Sequence, residues 1–96
     1  MTLDEEIKLW EKRSNDEFGQ ILKKIKKATK DYLYSWTEMG IEYNVLSEYI
    51  TGYSLDGNRK YTAKAIYNIL DIHDILGNHK KIKKLVDEMM KLANID

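Results

Sequence analysis

Cysteine and proline are both absent from the 96 residues. Without cysteine there is no disulfide framework, no zinc ribbon and no thiol nucleophile, a composition that fits the reducing cytoplasm. Without proline, no helix is interrupted by a missing amide donor. An excess of either charge is missing too, since 16 Lys and Arg balance 16 Asp and Glu. Dedicated nucleic-acid binders more often carry a basic surplus, so such a role has to rest on local patches. No apolar run approaches the ~18 residues of a membrane span. The acidic opening Thr2-Leu3-Asp4-Glu5-Glu6 is unlike a secretory leader, which begins basic and turns apolar.

What is present describes a globular chain. A hydrophobic fraction of 43% and a charged fraction of 33% exclude intrinsic disorder, and the length suits one domain spanning residues 1–96. Lys, Ile, Asn and Tyr are abundant, which suits the codons of an AT-rich genome such as that of a low-GC bacterium, its phage or a mobile element.

The periodicity predicts an all-α, compact bundle of four to five helices. Thr2 and Glu5 have the spacing of a capping box, followed by Leu3, Ile7 and Trp10 on one helical face. A second start signal, Ser14-Asn15-Asp16-Glu17, favours two helices over one bent helix across 3–39. Residues 1–17 then either pack on the domain or form an N-terminal helical arm. Phe18, Ile21, Leu22, Ile25, Ala28, Tyr32, Leu33, Trp36 and Met39 recur every three or four residues, the mark of an amphipathic helix. Gly40 reads as a helix stop. A short helix follows over 41–51, with Val45, Leu46, Tyr49 and Ile50 apolar, ended by Gly52. The stretch 53–58 reads as a loop, and its Asp56-Gly57 pair is also able to turn a short hairpin near 53–61. The next helix, about 60–76, turns Ala63, Ile66, Ile69, Leu70 and Leu76 inward and closes at Gly77. Asn78 is the expected cap of a last helix whose inward face is Ile82, Leu85, Val86, Met89 and Leu92.

Lys-Lys-Ile-Lys-Lys occurs at 23–27 and again at 80–84. Each copy reads as one buried Ile with solvated flanks, too short to signal an internal repeat. His73 and His79, with Asp71 and Asp74, do not share a helical face as the i, i+4 histidines of a zinc helix do, so no metal is expected. Asp56-Gly57-Asn58 lacks the alternating oxygen ligands of a calcium loop. No nucleophile elbow or phosphate loop is present, and acid pairs such as Asp4 and Glu5 sit at helix starts, where they favour the dipole. The expectation is therefore a protein that is not an enzyme, with no cofactor, no small-molecule substrate and no membrane contact. Trp10, Trp36 and the seven tyrosines are of the types enriched at binding hot spots.

Residues 33–76 resemble the helix-turn-helix of the Cro and phage-repressor (Xre-like) family. Gly40, Ile41, Leu46, Tyr49 and Gly52 stand at the positions of the turn glycine, the aliphatic residue after it, the two anchors of the recognition helix and its closing glycine. Ala65-Ile66-Tyr67-Asn68-Ile69-Leu70-Asp71-Ile72 matches the next helix. Trp36 replaces a small residue of the family pattern, and Glu42 and Glu48 lie beside the reading face. The resemblance implies a dimeric regulator that places residues 41–51 in the major groove of double-stranded DNA. Tyr43, Asn44, Ser47 and Thr51 would then face the duplex, and Arg59, Lys60 and Lys64 would attract the phosphates. The alternative is a helical protein-interaction module that binds a protein partner, such as a phage-encoded inhibitor, an antitoxin or an immunity protein.

Overall fold

The computed structural model describes residues 2–33, 37–53 and 57–95, and of 33 and 37–39 only the backbone. The apolar side chains expected at Leu33, Trp36 and Met39, and the loop positions Ser54, Leu55 and Asp56, lie outside that description.

The chain is an all-α bundle. Its helices are α1 (Leu3–Ser14), α2 (Glu17–Leu33), α3 (Thr37–Gly52), α4 (Arg59–Ile72), α5 (Ile75–Asn78) and α6 (Lys80–Leu92), and no strand occurs among the described residues. The capping box forms as the sequence predicts: Thr2 Oγ1 accepts the Glu5 amide at 3.2 Å and a Glu5 carboxylate oxygen accepts the Thr2 amide at 3.4 Å. The break near Ser14 also forms. Asp16 precedes α2 and its Oδ1 accepts the Gly19 amide at 2.6 Å, satisfying a donor that the first helical turn leaves open.

α2 is the central element, packing on α1, α3 and α6, while α4 packs on α3, α5 and α6. The core joins Phe18, Leu22 and Ile25 of α2 to Tyr43, Leu46 and Ile50 of α3, Ile66 and Leu70 of α4, and Ile82, Val86 and Met89 of α6. Each fully buried Leu, Ile or Phe contributes about 1.5–3 kcal/mol of transfer free energy. α1 is the exception, because none of its residues is buried.

Two glycines do not act as the pattern assigns them. Gly40 lies inside α3, which runs unbroken from Thr37, so no turn separates two helices there. Gly77 lies inside α5, and the helix before it has already ended at Ile72. A glycine in a helix costs only about 1 kcal/mol against alanine, which packing on neighbouring helices easily offsets. Left-handed backbone is taken instead by Asp74 (φ 56) after α4 and Asn94 (φ 58) after α6. At the latter the Ile95 amide reaches the Met90 carbonyl at 2.9 Å and the Asn94 amide reaches Lys91 at 3.1 Å, the bond pair of a Schellman ending. The short α5 that results raises the helix count above the four to five expected. Asn78 is not the cap of α6: that position belongs to His79, and the Asn78 side-chain Nδ2 donates back to the Asp74 carbonyl at 2.8 Å. No hairpin forms within the described part of 53–61. Gly57 (φ 73) leads directly to Asn58, whose Oδ1 accepts the Tyr61 amide at 3.0 Å and caps α4.

Asp16 also accepts the Tyr53 hydroxyl at 2.7 Å. Burial of Tyr53, and then the bond and negative charge of Asp16, push the phenol above its ordinary value against the opposing pull of Arg59. A raised phenol pKa means that the folded state keeps its proton where the unfolded chain has lost it. This contribution is therefore intact below about pH 10 and fades as pH climbs through the folded value. Tyr53→Phe should flatten the alkaline fall in stability, read as urea midpoints between about pH 9 and 11. Equal slopes in the two proteins would contradict the linkage.

Candidate nucleic-acid interface

Of the residues expected to face DNA, not all lie at the surface. Tyr43 is in the core at 8% exposure, because it shares the inward face of α3 with Leu46 and Ile50. It is thus a packing residue and not part of a reading face. Asn44 and Thr51 are exposed and Ser47 is half-buried, but Ile41, Val45 and Glu48 are exposed among them. Arg59 is half-buried, its guanidinium 3.5 Å from Asp16 and 5.4 Å from the centroid of the Phe18 ring. It joins the start of α4 to the start of α2. Lys60 and Lys64 are exposed, and Lys64 lines a cavity of about 390 Å³ between α3 and α4 with Glu42, Val45, Tyr49 and Tyr61.

The concentrated positive charge is elsewhere. Ten of the 16 Lys and Arg residues fall in α2 and α6, against four of the 16 acids, so a neutral chain carries a strongly polarised surface. The two Lys-Lys-Ile-Lys-Lys runs are responsible. Ile25 and Ile82 are both buried, as each run read alone predicts. Because α2 packs on α6, the flanking lysines meet along one groove of about 740 Å³. Lys24 and Lys27 line it from α2, and Lys80 and Lys81 line it from the first turn of α6.

Ala28, Ile82 and Leu85 are its apolar lining, and among the described residues Asp31 is the one carboxylate on its wall. Tyr32 and His79 also line it, their ring centroids 3.9 Å apart and their planes tilted by 37°. Among the described residues no carboxylate forms an ion pair with Lys24, Lys27, Lys80 or Lys81, whereas Lys83 is held by Asp87 at 3.2 Å. Four lysines against the one carboxylate of Asp31 give the groove a net positive lining and focus a positive potential into it.

No protein-family model, curated protein or solved structure matches this chain. Flexible lysines act as mobile point charges suited to phosphate oxygens, and an aromatic pair beside them offers a face to an unstacked base. Among the described residues no three His, Asp or Glu side chains converge as a metal site requires, and no helix is long and apolar enough to cross a membrane.

Sequence reasoning singled out both lysine runs but missed their convergence. The available signal was the identical placement of one buried Ile between lysine pairs in two amphipathic helices. It becomes informative only once α2 and α6 are known to be neighbours.

Proposed function

We propose that this domain binds nucleic acid through the sugar–phosphate backbone, in the groove between α2 and α6. One observation carries the reading: two lysine runs far apart in sequence each send two lysines to a single groove, where those four outnumber the one lining carboxylate, Asp31. The binding is electrostatic and independent of base sequence, which needs no projecting recognition helix. Nucleic acid in the cytoplasm is the natural partner, and DNA binding is retained from the sequence reading with its contact surface moved from α3 to α2 and α6.

Fluorescence anisotropy with a labelled 20-base-pair duplex and the matching single strand tests this. The wild-type protein should bind with Kd of about 1–100 µM at low salt, with a log–log salt slope of about −3 to −4 on the duplex, as expected for roughly four phosphates neutralised. The Lys24→Glu/Lys81→Glu double variant should weaken binding about 100-fold and reduce the magnitude of the slope by about 2. Lys60→Glu/Lys64→Glu changes net charge equally, yet should weaken binding less than about fivefold. Tighter binding to the single strand, reduced by Tyr32→Ala, would assign the aromatic pair a stacking role. The reverse ranking of the two lysine pairs, or a base preference abolished by Asn44→Ala, would return the interface to α3 and overturn the groove assignment.

A further inference from the structure

The α2–α6 groove is narrow and carries aromatic rings as well as charge. Helices packed side by side, as α2 and α6 are, hold their axes about 8–10 Å apart, whereas the major groove of a duplex is itself about 12 Å wide. A double helix therefore rests on the rims of such a cleft, while one strand can lie inside it. Lys24 and Tyr32 are both on α2, eight residues apart, so about 12 Å separates them along the axis. That is the length of about three or four stacked nucleotides at roughly 3.4 Å each. At the Tyr32 end the lining changes character. Asp31 repels phosphate there, and its carboxylate can accept from the exocyclic amine of a base. His79 lies against the Tyr32 ring, with centroids 3.9 Å apart and planes tilted by 37°, yet Tyr32 remains 43% exposed.

We propose that the groove selects single-stranded over double-stranded nucleic acid, with one unpaired base stacked on the face of Tyr32 turned away from His79. The inference rests on the nucleic-acid reading above and adds to it the state of the ligand. Bases of a duplex are covered on both faces by their neighbours, so only a strand with free bases can use the ring. Charge alone pulls the other way. A duplex has the denser phosphates and releases more counterions, with a salt slope of about −0.9 per phosphate against about −0.7 for a strand. A preference for the strand is thus a signature of base contact. The stack is indifferent to base identity, because every base offers a π-face. Tyr32 is then the residue that sets specificity, and the lysines supply an attraction common to both ligands.

Fluorescence anisotropy at low salt tests this with three probes of about 20 nucleotides per strand: a thymidine strand, a strand of equal charge in which every base is missing, and a duplex. Wild-type protein should bind the thymidine strand about tenfold tighter than either of the others. Tyr32→Ala should bring the thymidine strand down to the level of the baseless one, whereas Tyr32→Phe should keep the preference. Both variants should retain the helical circular dichroism, since Tyr32 is exposed and outside the core. Equal affinity for the thymidine and baseless strands, a duplex bound as tightly as the strand, or a preference untouched by Tyr32→Ala would each overturn the single-strand inference. If Lys24→Glu/Lys81→Glu still weakens binding in such a case, the groove stands as the nucleic-acid site and only the stack is lost. Failure of all three probes to bind would overturn both readings.

Discussion

Gly19→Ala is expected to lower the melting temperature by roughly 8–16 °C, corresponding to about 2 kcal/mol in a domain of this size. Elsewhere in a helix the same change would be favourable, because alanine exceeds glycine in helix propensity by about 1 kcal/mol. Gly19 is buried at the crossing of α1 on α2, and a Cβ there would overlap the Arg13 carbonyl oxygen and come within 2.8 Å of the Ser14 backbone. These are main-chain atoms in the last turn of α1, and only Asn15 and Asp16 separate that turn from α2. Ser14 therefore cannot retreat without disturbing the Asp16 cap. Gly52→Ala is the matched control: nothing lies within 4 Å of a Cβ at that position, so the melting temperature should hold or rise by a few degrees. Thermal denaturation followed by circular dichroism reads both. A Gly19→Ala protein melting within about 2 °C of wild type would mean that the close crossing is not part of the folded state.

The contrast between Gly19 and Gly40 shows which parts of the molecule are legible in the sequence. Core faces of α2, α4 and α6 follow from local periodicity, and Phe18, Leu22, Ile66, Leu70, Ile82 and Met89 are all buried where the spacing places them. Periodicity is a property of one helix and survives without knowledge of its neighbours. The role of a glycine is not local. At Gly40 the helix continues, while at Gly19 the absence of a side chain is required by a helix that crosses from the other side of a turn. Exposure of Leu3, Ile7 and Trp10 is non-local as well, since an amphipathic pattern predicts a face and not what covers it. For the same reason the helix-turn-helix register turns Tyr43 towards DNA, and only the position of α3 against α2 and α4 shows it to be covered.

Asp16→Ala should cost about 3 kcal/mol, the second large effect, because one carboxylate serves three neighbours. It caps α2 through the Gly19 amide at 2.6 Å, accepts the Tyr53 hydroxyl at 2.7 Å, and lies 3.5 Å from the Arg59 guanidinium. Loss of a helix cap accounts for about 1 kcal/mol. A buried hydroxyl left without an acceptor accounts for a further 1–3 or so. The partly exposed ion pair adds little. Tyr53→Phe removes the orphaned hydroxyl, so the double variant should be less destabilised than the sum of the singles, with a coupling of about 1–2 kcal/mol in urea denaturation. Simple additivity would show that the bond carries no energy. Arg59 gives the same variant a second use. If Arg59 served nucleic acid rather than the fold, releasing it from Asp16 would strengthen binding. With the interface in the α2–α6 groove, Asp16→Ala should instead leave duplex affinity within about twofold of wild type under conditions where the protein is folded. A clear gain in affinity would reinstate Arg59 as a phosphate contact.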